Sequence, residues 1–180
     1  MVSSGYVDNS NLSIEGMRIS AVRKGLASSI EDAVRRNVVD YGWTYNFDRL
    51  HSLICPAGVP MAKPVLFASQ RRPQEPLWRA ARMAGFEVVL FNRNGTREKQ
   101  VDTEIACRML DDSLTSMNAA DGDKAVLLSG DSDHLPAVRR LANNGIVTLV
   151  LFWEHATSAE LRSETDFMPL DPFFDLLTRR

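Results

Sequence analysis

The stretch Lys124–Leu135, KAVLLSGDSDHL, sets the reading of this 180-residue chain. A strand-like run, Lys124–Leu128, apolar from Ala125 onward, gives way to Ser129, Gly130, Asp131, Ser132 and Asp133, and a helical pattern follows over Leu135–Asn143. A strand without polar alternation is one buried on both faces, as in a parallel sheet covered by helices. Four further runs read the same way: Gly5–Asp8, Lys63–Ala68, Phe86–Phe91 and Ile146–Phe152. Helical patterns lie between them at Phe47–Ile54, Glu75–Ala84 and Val101–Leu114. This alternation predicts an α/β fold with a central parallel sheet in a three-layer α/β/α sandwich, strand order 3-2-1-4-5. Gly85 and Gly145 stand where glycines end helices before strands three and five, and Asp133 is placed to cap the helix that carries Pro136 in its first turn.

The remainder is less periodic. Residues 13–46 read as a helical excursion after the first strand, suited to a homodimer contact or a substrate wall. Residues 158–180 read as a helix followed by a packing segment through Phe167, Leu170, Phe173 and Phe174. The length suits one domain over residues 1–180.

Composition excludes some classes. Hydrophobic residues make up 44% and charged residues 24%, as in ordinary globular chains, and the formal net charge of −2 argues against diffuse attraction to nucleic acid. No apolar run approaches the ~20 residues of a membrane span, and residues 1–10 show no secretory pattern. Cys55 and Cys107 lack partners at metal-ligand spacing and are expected to be reduced, buried thiols of a cytoplasmic protein. Trp43, Trp78 and Trp153 are expected to pack in the core or an interface, with stacking on bases as the alternative. His51 and His155 read as structural.

The carboxylates carry the chemistry. Asp8 and Asp131 end strands, and Asp102 and Asp133 begin helices. All strands of a parallel sheet end on one edge, and ligands bind there where the strand order reverses. With strands one and four adjacent, the four aspartates meet at that reversal. Such a group cannot ionise together without a cation, and oxygen ligands favour Mg²⁺ or Mn²⁺ over zinc. Each aspartate alone would be a turn or a cap; their shared edge points to a metal site. Arg71 and Arg72 after strand two, with Arg93, Arg97 and Lys99 after strand three, would form a cationic rim for phosphates beside that centre.

Taken together, Asp8 with Asn11, Lys99 with Asp102, the run Ser129–Asp133, and the later Ser158, Leu161, Asp166 and Phe167 resemble the NYN domain family, in the LabA-like branch of the PIN-type nuclease superfamily. The resemblance implies a PIN-like fold and a ribonuclease dependent on Mg²⁺ or Mn²⁺. By it, Asp8, Asp102, Asp131 and Asp133 bind metal, and Asn11 and Ser129 orient ligands or water. The chain departs from the pattern at Arg108, where relatives often carry another acid, and at His134, where an apolar residue usually follows the motif. Arg108 favours the alternative, a catalytically weak or inactive module that binds RNA or a protein in a regulatory role. His134 reads as structural or as a contact to substrate. A phosphatase whose first strand ends Asp-x-Asp is disfavoured by Asn9 and Ser10, and no Gly-x-Gly-x-x-Gly follows strand one to hold a dinucleotide.

Overall fold

The computed structural model describes residues 3–60, 62–70, 74–92 and 99–179, without the side chains of Asn92 and Lys99. Its centre is a six-stranded sheet in the order β3-β2-β1-β4-β5-β6, every neighbouring pair parallel. The strands are β1 (Ser3–Asp8), β2 (Val65–Gln70), β3 (Glu87–Asn92), β4 (Lys124–Leu128), β5 (Val147–Phe152) and β6 (Asp166–Pro169). The helices are α1 (Asn9–Arg23), α2 (Ile30–Arg36), α3 (Phe47–Ile54), α4 (Glu75–Met83), α5 (Lys99–Thr115), α6 (Leu135–Asn143), α7 (Ala159–Glu164) and α8 (Phe174–Leu177).

Successive side chains of a strand face opposite layers. On β1 the Tyr6 hydroxyl donates to Asp112 of α5 at 2.8 Å, whereas Gly5 lies against Ile54 of α3 and Pro64. The sheet is therefore covered on both faces, and the apolar strands pay no solvation penalty on either side. Asp8, two residues beyond Tyr6, inherits the α5 face. Gly85 (φ +108°) and Gly145 (φ +77°) adopt the left-handed conformation that ends α4 and α6.

Three expectations are corrected. The helical segment after β1 begins before residue 13: α1 starts at Asn9, with Asp8 as its cap. The buried face of α1 carries Leu12, Gly16, Ser20 and Ala21. Such small and polar residues hide the helical period. Gly16 is required because a Cβ there would collide with the Trp43 indole. The C-terminal segment adds a sixth strand, β6, beside β5; four residues with Pro169 suffice at a sheet edge. Asp133 does not cap α6: Asp131 caps a single 3-10 turn, Ser132–His134, from which α6 continues without a side-chain cap.

All three tryptophans are buried, so none is available to stack on bases. Trp43 stacks on Phe174 at 5.4 Å, and Trp153 donates from Nε1 to the Leu12 carbonyl at 2.9 Å. Trp78 donates to Gln70 at 2.7 Å. Cys55 is half-buried and Cys107 exposed, neither of them in a disulfide, so the expectation of two buried thiols fails for Cys107, which lies on the solvent side of α5. Among the described residues, no helix is long and apolar enough to cross a membrane.

Candidate metal centre

The strand order reverses between β1 and β4, because β2 and β3 build outward on one side and β5 and β6 on the other. The crevice outside this reversal is the usual ligand position of an open parallel sheet. A cleft of about 290 Å³ opens there, lined by Asp8, Asn11, Glu15, Arg18, Asp102 and Asp131, with Ser10 and Ser69 at its wall.

Each acid is brought there by its element. Asp8 is the last residue of β1, only 5% exposed, and its carboxylate accepts the Asn11 backbone N–H at 3.0 Å. Asp102 sits in the first turn of α5. Asp131 lies just past β4, and its Oδ1 accepts the Asp133 N–H at 2.9 Å. Ser129 Oγ accepts from both the Asp131 N–H and the Asn11 amide, each at 3.4 Å, and so ties the two strand ends together. Gly130 runs beneath the Glu154–Ala156 turn; a Cβ would strike the Ala156 carbonyl and lie 2.7 Å from the Phe152 ring.

The donors fall into two overlapping trios. Asp102, Asp131 and Asp133 each offer an oxygen within 4.8 Å of the others, and so do Asp8 and Asp102 together with a ring nitrogen of His134. Asp102 belongs to both. Burial, opposed by the Asn11 N–H and reinforced by the charges of Asp102 and Asp131, raises the Asp8 pKa from 3.8 to about 6. Burial also lowers the His134 pKa, against the pull of Asp131 and Asp133, which keeps the ring neutral at neutral pH. Crowded acids at a buried strand end, with a neutral imidazole beside them, are the donor chemistry of a divalent-cation site. The chain therefore fits such an ion.

The structure brings together Asp8, Asp102, Asp131, Asp133, Asn11 and Ser129. The side chain of Lys99, and Arg71, Arg72, Arg93 and Arg97 entirely, lie outside the described residues. Arg108 faces away from the centre: it pairs with Asp112 on its own helix and with Glu87 at the start of β3, on the opposite sheet edge, at 3.1 and 3.2 Å.

Sequence reasoning named Asn11 and singled out His134 but missed the rest of the α1 wall, Ile14, Glu15 and Arg18. Once α1 begins at Asn9, the residues Asn11, Ile14, Glu15 and Arg18 share one helix face and line the cleft. Glu15 is held by Arg18 and by His155 at 3.0 Å. That spacing of three and four residues was the signal available in the chain itself.

No curated protein matches the chain significantly. Among solved structures, a Vibrio parahaemolyticus protein of unknown function is similar in fold, with a TM-score of 0.69 at 18% identity over 99% of this chain and 96% of that one. The NYN domain profile matches residues 6–171, from the middle of β1 to beyond β6, and includes every acid of the cleft. The match is to the NYN domain as a whole and does not single out the LabA-like branch. With that match spanning nearly the whole sheet and its acidic reversal point, the chain belongs to the NYN domain family, within the PIN-like nuclease superfamily.

Proposed function

We propose that this chain is a ribonuclease that hydrolyses RNA phosphodiester bonds, with Asp8, Asp102, Asp131 and Asp133 holding Mg²⁺ or Mn²⁺. The observation that carries the reading is the convergence of carboxylates from β1, α5 and the β4–α6 turn to within 4.8 Å in each trio. When bound, the cation neutralises phosphate charge and activates water. The chain's own residues do the rest. The Asn11 N–H fixes the Asp8 carboxylate, and Ser129 holds the Asn11 amide and the Asp131 backbone in one register. Burial around Asp8 keeps bulk water from screening that corner of the cleft.

We assign Arg71, Arg72, Arg93, Arg97 and Lys99 to the flanking phosphates, because in the sequence they follow the last residues of β2 and β3 or lie at or just before the first residue of α5. Two cysteines outside any disulfide suit a cytoplasmic enzyme. The test is cleavage of RNA containing single-stranded and hairpin segments, with Mn²⁺ added, by the wild type and by Asp131→Asn. Metal-dependent cleavage lost in the variant is expected; equal cleavage by both rejects the assignment.

A further inference from the structure

We propose that His134 is itself a cation ligand, adding an imidazole nitrogen to the carboxylates and biasing the pocket toward a first-row transition ion over Mg²⁺. The inference rests on the reading of the aspartate cluster as a divalent-cation site and goes beyond it in naming a further donor.

His134 is fully buried, and neither Nδ1 nor Nε2 has a hydrogen-bond partner among the described residues. A buried polar group left unpaired is costly, and native proteins rarely leave one so. The ring is not remote from partners. One of its nitrogens lies within 4.8 Å of a carboxylate oxygen of Asp8 and of Asp102, yet no hydrogen bond joins them. Donors that share one ion, each bonded at roughly 2.0–2.3 Å, stand about 3 Å apart when adjacent and up to about 4.6 Å when opposite, close to the 4.8 Å within which all three of these lie. The three donors are thus spaced to share an ion.

The local chain explains the position. Asp131 caps the 3-10 turn Ser132–His134, so one turn sends Asp131 and Asp133 to the outer trio and His134 to the inner one. The inner trio is then two oxygens and one nitrogen. Mg²⁺ strongly prefers oxygen, whereas affinity for nitrogen rises along the first-row divalent series from Mn²⁺ onward. An all-carboxylate pocket discriminates between them far less.

Pulsed EPR of the Mn²⁺-loaded 180-residue chain, with and without ¹⁵N-histidine labelling, detects directly bound nitrogen without any turnover. The wild type is expected to show a nitrogen coupling that changes on labelling, and His134→Leu to lose it. The double variant His51→Gln/His155→Gln, which leaves His134 as the single imidazole of the chain's 3 histidines, is expected to keep it. Calorimetric titration should show at least a roughly tenfold loss of Mn²⁺ affinity in His134→Leu, with Mg²⁺ affinity changed by less than about threefold. If His134→Leu does not fold, the double variant decides alone, since its coupling has one source. Mn²⁺ bound to the wild type without nitrogen coupling, or a coupling that survives in His134→Leu, overturns the ligand assignment and leaves the aspartate site standing. No Mn²⁺ bound at all overturns both.

Discussion

Asp8 gives the sharpest test of the site's electrostatics, because its effect is measurable on the folded chain without substrate. Its pKa stands at about 6 in the folded state against 3.8 as a free side chain, with burial as the leading cause. Below pH 3.8 the carboxyl is protonated in folded and unfolded chains alike and carries no penalty. Between pH 3.8 and about 6 the unfolded chain releases the proton while the folded chain retains it, so stability falls as pH rises through this window. Above it both states are ionised and the loss is complete, about 3 kcal/mol at roughly 1.4 kcal/mol per tenfold change in acidity. No discount for solvent screening applies to a side chain 5% exposed. The assay is urea unfolding in EDTA from pH 4 to 8, for wild type and Asp8→Asn, taking the difference between the two at each pH. The amide introduced by this substitution keeps an oxygen for the Asn11 N–H but never ionises, so subtraction removes every other titrating group not coupled to Asp8. The variant's advantage should grow by about 3 kcal/mol across the window and level off above it. A difference independent of pH, or one that grows in favour of the wild type, would refute the claim that Asp8 is held ionised at a cost.

Gly130→Ala should destabilise the fold by about 1–3 kcal/mol or more in urea titrations, since its Cβ strikes the Ala156 carbonyl and the Phe152 ring; a neutral substitution would mean that the turn yields freely. Arg108→Ala should lose about 1 kcal/mol or less and leave Mn²⁺ affinity unchanged within about twofold, because Arg108 serves Glu87 and Asp112 at the far edge; a tenfold loss of Mn²⁺ binding would return it to the site. Burial pushes the Cys55 thiol up to about 11, so at pH 8 only about one in a thousand is thiolate. Disulfide-exchange labelling followed by mass spectrometry should therefore modify exposed Cys107 well before Cys55; equal rates would contradict the burial.

What was legible in the chain follows from parallel-sheet geometry. Strands buried on both faces announce themselves as apolar runs, and their carboxyl ends share an edge, so finding the last residue of β1 and β4 also locates Asp8 and the Ser129–Asp133 run. Periodicity works because it records which residues meet an apolar core. It fails wherever a side chain is buried for another reason. The first turn of α1 is Asn9, Ser10 and Asn11, which in isolation reads as a turn because its polar atoms serve Tyr45, Ser69 and Ser129 rather than solvent. Gly16 breaks helical propensity because the Trp43 indole occupies the space of its side chain. His134, which stands out in the sequence only as a departure from the usual apolar residue, is as buried as Leu127. The misread start of α1 borders the acidic cleft, and β6, misread for its brevity, does not. Local rules thus broke in two different ways: at the edge of the sheet through too few residues to show a period, and at the cleft because polar groups there answer to one another and to a charge the core does not supply. The second kind of failure points to where the cleft lies, and the run Asn9–Asn11 at the start of α1 is its clearest instance.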